Sequence, residues 1–141
     1  MPKHMPRLLT VCLTLSLAGC GGAGTYPVEG QLQWSDGTPA KELEGASLTF
    51  ELPEKNTNST GIVQPDGSFT LMTAAPGDGA LPGTYKVVIS ERRQSAGGSQ
   101  MAPMKSDSRY ADREKTDLTA EVKPIKNTGP NKLILKIDRA K

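Results

Sequence analysis

The feature that most constrains this chain is a period of two in its apolar residues. In 26–34, Tyr26, Val28, Leu32 and Trp34 share one parity, while Glu29, Gln31 and Gln33 take the other. The same alternation runs through 46–52 (Ala46, Leu48, Phe50, Leu52), 68–73 (Phe69, Leu71), 84–90 (Tyr85, Val87, Ile89), 118–122 (Leu118, Ala120, Val122) and 132–138 (Leu133, Leu135, Ile137). A weaker run at 59–63 suits a seventh strand. Successive side chains of a strand point to opposite faces, so each segment buries one face only. Helical spacing is absent. Short strands covered on one side need two sheets packed face to face. Turn clusters separate them: "SDGTP" at 35–39, "QPDGS" at 64–68, "APGDGALPG" at 75–83 and "KNTGPN" at 126–131. The pattern predicts an all-β fold, a single antiparallel β-sandwich of about seven strands. Residues 91–117 are polar and aperiodic, and are expected to form a mobile surface loop, pinned late by Tyr110.

The N-terminus reads differently. Lys3, His4 and Arg7 precede an apolar run over 8–18 that closes on Ala18, Gly19 and Cys20. That order is the order of a secretory signal peptide. The apolar part falls short of the ~20 residues a spanning helix needs. Both cysteines, Cys12 and Cys20, and the only histidine, His4, lie here. Once residues 1–19 are removed, the remainder has no disulfide, no imidazole and one cysteine at its first position. Ser/His/Asp and Cys/His catalysis and His- or Cys-based zinc sites are thereby excluded, and no cofactor or catalytic residue is assigned. Lys3 and Arg7 leave with the leader, so the 17 basic residues fall to match the 15 acidic ones. A near-neutral domain lacks the basic surface that nucleic acid requires.

Leu17-Ala18-Gly19-Cys20 resembles the bacterial lipobox. The resemblance implies cleavage after residue 19 and lipid attachment at Cys20. Residues 20–25 then form a flexible lipidated tether, and 26–141 the sandwich domain. Two or three acyl chains hold a protein firmly on a membrane where one does not. The implied location is the cell envelope, at the periplasmic face or cell surface. Gly21 stands where an Asp would favour retention in an inner membrane, which favours an outer membrane where one is present.

Further segments, taken in order, resemble the carboxypeptidase regulatory-like, or transthyretin-like, domain. "YPVEGQLQWSDGTPAKELEGASLTFE" is similar to its opening, and "VQPDGSFTL" to its D-G-x-F-x-L hairpin, with Gln64 and Pro65 departing from the usual pair. "PGDGALPGTYKVVIS" and "YADREKTDLTAEVKPIKNTGPNKLILKI" are similar to segments of small lipoproteins built on this domain, with Thr116-Asp117 in place of Ser-Gly. The resemblance spans nearly all of 26–138. It implies a prealbumin-like sandwich without catalytic residues: a structural or binding module whose partner is the membrane, through Cys20, together with an envelope protein or polysaccharide.

Two alternatives follow from related families. An adhesin-like module of the collagen-binding B type would carry a Lys–Asn isopeptide bond; Lys86, Lys132 and Asn131 are present, but the first strand holds no lysine. A transthyretin-related 5-hydroxyisourate hydrolase would use histidines and a C-terminal Y-R-G-S, whereas this chain ends "IDRAK". Residue by residue, structural roles are expected. Phe69 and Tyr85 belong to the core, and Tyr85 requires a hydroxyl partner. Trp34 packs at the core or rim rather than stacking on a ligand. Asp66 and Asp78 cap turns rather than bind calcium, which wants six to eight oxygens. Arg92 and Arg93 lie in a solvated loop, with lipid phosphate as the alternative.

Overall fold

A computed structural model describes residues 24–94, 101–126 and 128–141. The expected signal peptide, Cys20 and residues 95–100 of the expected loop lie outside the described residues. Seven strands form two sheets: β1 (Val28–Trp34), β2 (Ser47–Leu52), β3 (Thr57–Ile62), β4 (Ser68–Thr70), β5 (Gly83–Ser90), β6 (Thr119–Val122) and β7 (Asn131–Ile137). The smaller sheet has the order β4-β1-β7 and the larger β3-β2-β5-β6. All seven alternating segments become strands, the weak run at 59–63 included.

The expectation of a wholly antiparallel arrangement needs one correction. β1 and β7 run parallel, from Val28 opposite Asn131 to Trp34 opposite Ile137. The reason is the route of the chain. β6 belongs to the larger sheet, so the chain must cross between sheets before β7 and re-enters beside the start of β1. Asn131 fixes that entry. Its backbone N–H donates to the Pro27 carbonyl (2.8 Å), and its buried side chain accepts from Lys123 N–H (3.0 Å) and donates to Lys123 C=O (3.1 Å). A buried amide with both ends satisfied specifies register at little cost. The opposite side of the sandwich is closed by paired backbone bonds between Thr60 and Met72.

The alternating parity is the burial pattern. Leu48, Phe50 and Leu52 of β2 are buried, while Ser47, Thr49 and Glu51 are half-buried. Phe50 sits between the layers, with its ring 5.8 Å from Phe69 in the smaller sheet and 6.0 Å from Tyr85. These tilted and edge-on contacts stabilise beyond area burial. Phe69 lies over Gly30, its partner across β1 and β4. A Cβ on Gly30 would stand 2.1 Å from Phe69 Cζ, so only glycine leaves room for the ring. Tyr85 is fully buried, and its hydroxyl donates to the Leu81 carbonyl at 2.8 Å, the partner that its burial demands.

The turns are held by their own side chains. Asp36 and Asp66 each accept from the backbone N–H and the hydroxyl of the residue two ahead, Thr38 and Ser68. Asp78 accepts from the N–H groups of Thr73, Ala74 and Ala75 at 2.7–2.9 Å. That cap shapes the P-G-D-G-A segment so that Ala80 exchanges two backbone bonds with Tyr26. Gly79 (φ 81°) approaches so closely that a Cβ would lie 1.8 Å from the Tyr26 carbonyl oxygen. The motif therefore fastens the chain where it enters β1.

Replacing Phe50 by Ala should cost about 3–5 kcal/mol, as for a buried aromatic truncation, while Thr49→Ala on the other face should cost far less. Urea unfolding of the two variants measures the difference, and equal small losses would contradict the register.

Candidate functional site

β1 rises from the Tyr26 end of the sandwich to Trp34, and β5 and β7 rise with it. The turn after β1, the segment after β5 and the C-terminal residues therefore gather at the opposite end. Seven residues of strand put that end on the order of 20 Å from Val28.

Two aromatic posts organise this rim. Trp34 is buried, and its indole N–H donates to Glu42 Oε2 at 3.0 Å, within a 3-10 turn at Lys41–Leu43. The Arg139 guanidinium lies over the indole ring at 4.2 Å and pairs with Asp36 and Glu42. The indole bond, foremost, holds the Glu42 carboxyl below its usual range. The second post is Tyr110, buried in a 3-10 turn at Ser108–Ala111. Arg109 covers its ring at 4.7 Å and donates to the Tyr110 hydroxyl and to Asp138, each at 2.6 Å. Asp138 N–H donates to the same hydroxyl at 3.1 Å. The Ser35 side chain, foremost, and Arg109 hold the Asp138 carboxyl low.

These contacts narrow the expectation of a mobile loop over 91–117. Residues 101–117 have fixed partners. The Glu91 carboxylate accepts from the backbone N–H of Lys105 (2.9 Å), and from the N–H (2.7 Å) and hydroxyl (2.6 Å) of Ser106. Residues 105–107 then pair with 138–140, through Asp107 N–H to Asp138 C=O and Ala140 N–H to Lys105 C=O. Buried Thr116 donates its hydroxyl to the Val87 carbonyl (2.8 Å) and docks the segment's end onto β5. Composition misled here because the anchors are polar: a carboxylate turned on backbone amides leaves no hydrophobic period. The one legible signal was Tyr110, an aromatic in a polar run.

Between residues 41–45, 91–94 and 102–105 lies an open cleft of about 580 Å³. It is lined by Lys41, Arg92, Arg93 and Lys105, with Glu42, Glu44 and Glu91. Lys105 Nζ donates to the Glu42 carbonyl at 2.6 Å and bridges the two walls. Arg92 and Arg93, assigned from sequence to a solvated loop, are exposed and line this cleft.

The remaining sequence candidates have structural places. Trp34 belongs to the core, and Asp66 and Asp78 cap turns. Of the isopeptide candidates, Lys132 pairs with Glu29, the Asn131 amide is bound to Lys123, and Lys86 sits in β5 opposite Glu51 and Thr119. Among the described residues no group of three or more His, Cys, Asp or Glu converges as a metal site, and no helix is long and apolar enough to cross a membrane. Cys20 lies outside the described residues. Set against known proteins, the chain matches no family model, no curated protein and no solved structure.

Two predictions follow from the rim. Glu91→Ala should cost about 1.5–3 kcal/mol, as for hydrogen bonds to a charged acceptor, and the Lys105 and Ser106 amides should exchange faster while β2 amides do not. Unchanged exchange at 105–106 would refute the Glu91 anchor. The pH dependence has a definite sign. Asp36, Glu42, Asp66, Asp78 and Asp138 all have carboxyls below their ordinary values of 3.8 or 4.5. The folded state therefore binds fewer protons than the unfolded chain at acid pH. Their stabilisation is fully present above the ordinary values and is lost as pH falls through the lowered ones. From Gly24 onward there is no histidine, so the unfolding midpoint should stay level between about pH 6 and 7.5 and fall below about pH 4.5. A step near neutrality would contradict this.

Proposed function

We propose that this protein is a non-enzymatic, lipid-anchored cell-envelope module of the carboxypeptidase regulatory-like type. It is held on the membrane through Cys20 and presents the far rim of its sandwich to an envelope protein or polysaccharide. The observation that carries the reading is a polarity along the chain. The L-A-G-C box stands a few residues before Tyr26, and Tyr26 is fastened by Ala80 at one end of the sandwich. Residues 91–94, the described residues 101–111 and the C-terminal residues gather at the other end. A short tether at one end with the elaborated loops at the other suits presentation, since loops on a rigid sandwich often carry recognition.

The placement of the motif segments supports the family reading. The V-E-G-Q-L stretch forms β1, the D-G-S-F hairpin enters β4, and the P-G-D-G-A segment leads into β5. The chemistry of the rim supports a non-enzymatic role: its low-lying carboxyls are committed to Trp34, Arg139, Arg109 and backbone amides.

Cys20→Ser tests the anchor. The wild-type protein should partition into the detergent phase and incorporate labelled fatty acid. The variant should lose the label and leave the membrane, or accumulate with its leader uncleaved. Identical partitioning and labelling of the two proteins would overturn the proposal.

A further inference from the structure

From the distribution of paired and unpaired cations, we infer that the rim cleft is a binding site for an oxyanion, the phosphate or carboxylate group of an acidic ligand, held by Arg92 and Arg93 with Lys41 beside them. The inference deepens the presentation reading above and rests on it only for where the ligand is met.

The described part of the chain holds five arginines. Three of them have carboxylate partners: Arg109 with Asp117 and Asp138, Arg113 with Glu51, and Arg139 with Asp36 and Glu42. Among the described residues, Arg92 and Arg93 have none, and both line the same cleft. Lys41 lines it as well and makes no ion pair among the described residues. In a domain with matched charges, the unpaired guanidinium groups are thus concentrated in one place.

The carboxylates of the cleft do not answer them. Glu91 is turned onto the amides of Lys105 and Ser106, and Glu42 onto Trp34 and Arg139. Only Glu44 has no such commitment among the described residues. The stem of Arg92 is placed by the fold: its Cδ lies 3.3 Å from the position a Cβ would take on Gly45. Lys105, bonded to the Glu42 carbonyl, fixes the facing wall. The cleft is wide enough for a ligand group and has a polar lining. Guanidinium offers a planar fork that matches phosphate and carboxylate oxygens two at a time. The site stands at the end of the sandwich away from Tyr26, so on the presentation reading above the anchoring bilayer is not its source of anions.

The test uses the protein as purified from its own cells, lipidated or not, in neutral detergent micelles, titrated by calorimetry at ~20 mM salt, where surface charges are little screened. The probes are pyrophosphate, citrate and a linear polyphosphate. Pyrophosphate should bind, and Arg92→Gln with Arg93→Gln should weaken it by at least about tenfold, the loss expected when charge-assisted hydrogen bonds are removed. Lys136→Gln, on the exposed face of β7, should leave the affinity within about twofold, and the unfolding midpoints of all three proteins should agree. Binding of citrate as well assigns carboxylate and phosphate alike, and binding of pyrophosphate alone narrows the ligand to phosphates. Tighter binding of polyphosphate than of pyrophosphate assigns a polymer as the natural source, and equal binding assigns a small ion. No heat with any probe, or equal affinity in wild type and the Arg92/Arg93 variant, would overturn the inference. Partitioning of the Cys20→Ser protein is scored separately, so failure of the anchor and failure of the cleft are distinguishable.

Discussion

The sandwich depends on the meeting of three residues: Phe50 of the larger sheet, Phe69 of the smaller one, and Gly30 beneath Phe69. Both cysteines lie before the sandwich, so no disulfide within it assists the packing of its two layers. Aromatic residues are scarce, and the two phenylalanines of the whole sequence are the two that touch across the layers. The glycine is as necessary as the rings. With a side chain at position 30, Phe69 could not lie flat on β1, and the spacing that lets Phe69 meet Phe50 across the layers would be lost.

Around that centre, the two ends of the sandwich are built from different materials. The Tyr26 end is held by bonds to backbone groups: Tyr26 with Ala80, Asn131 with Pro27 and Lys123, and the Asp78 carboxylate with the Thr73 amide. The rim end is side chain: two buried aromatics, each beneath an arginine, with carboxylates closing the networks. The bonds at the Tyr26 end fix the place where the chain enters β1. An end made of exposed charged groups over buried rings keeps its geometry while leaving its outer surface polar. Long segments carrying their own polar anchors can then be laid on the rim without enlarging the core.

The arginines illustrate how the same side chain serves two purposes. Arg109 and Arg139 are flattened on aromatic rings and neutralised by carboxylates. Arg92 and Arg93 follow directly after β5, beside a glutamate that spends its charge on backbone amides. In sequence, Glu91 stands beside Arg92 and Arg93 as a partly compensating charge. In space, the glutamate faces the 105–106 backbone, and the compensation is lost.

The sequence by itself determined the strands and their facing. Alternation in seven segments depends on which side of a strand meets the core, a local property of a two-residue repeat. The turn chemistry was equally local: Asp36, Asp66 and Asp78 bond to residues within five positions. The tertiary structure alone decided which strands are neighbours, that β1 and β7 run parallel, and that residues 101–117 are bound down. It also brought Arg92, Arg93 and Lys41 to one cleft. Each of these rests on contacts between residues far apart in the chain, such as Tyr110 with Asp138, Thr116 with Val87 and Lys105 with Glu42. A polar anchor leaves no period in the sequence, because its partner is a single backbone group whose position only the folded sheets supply.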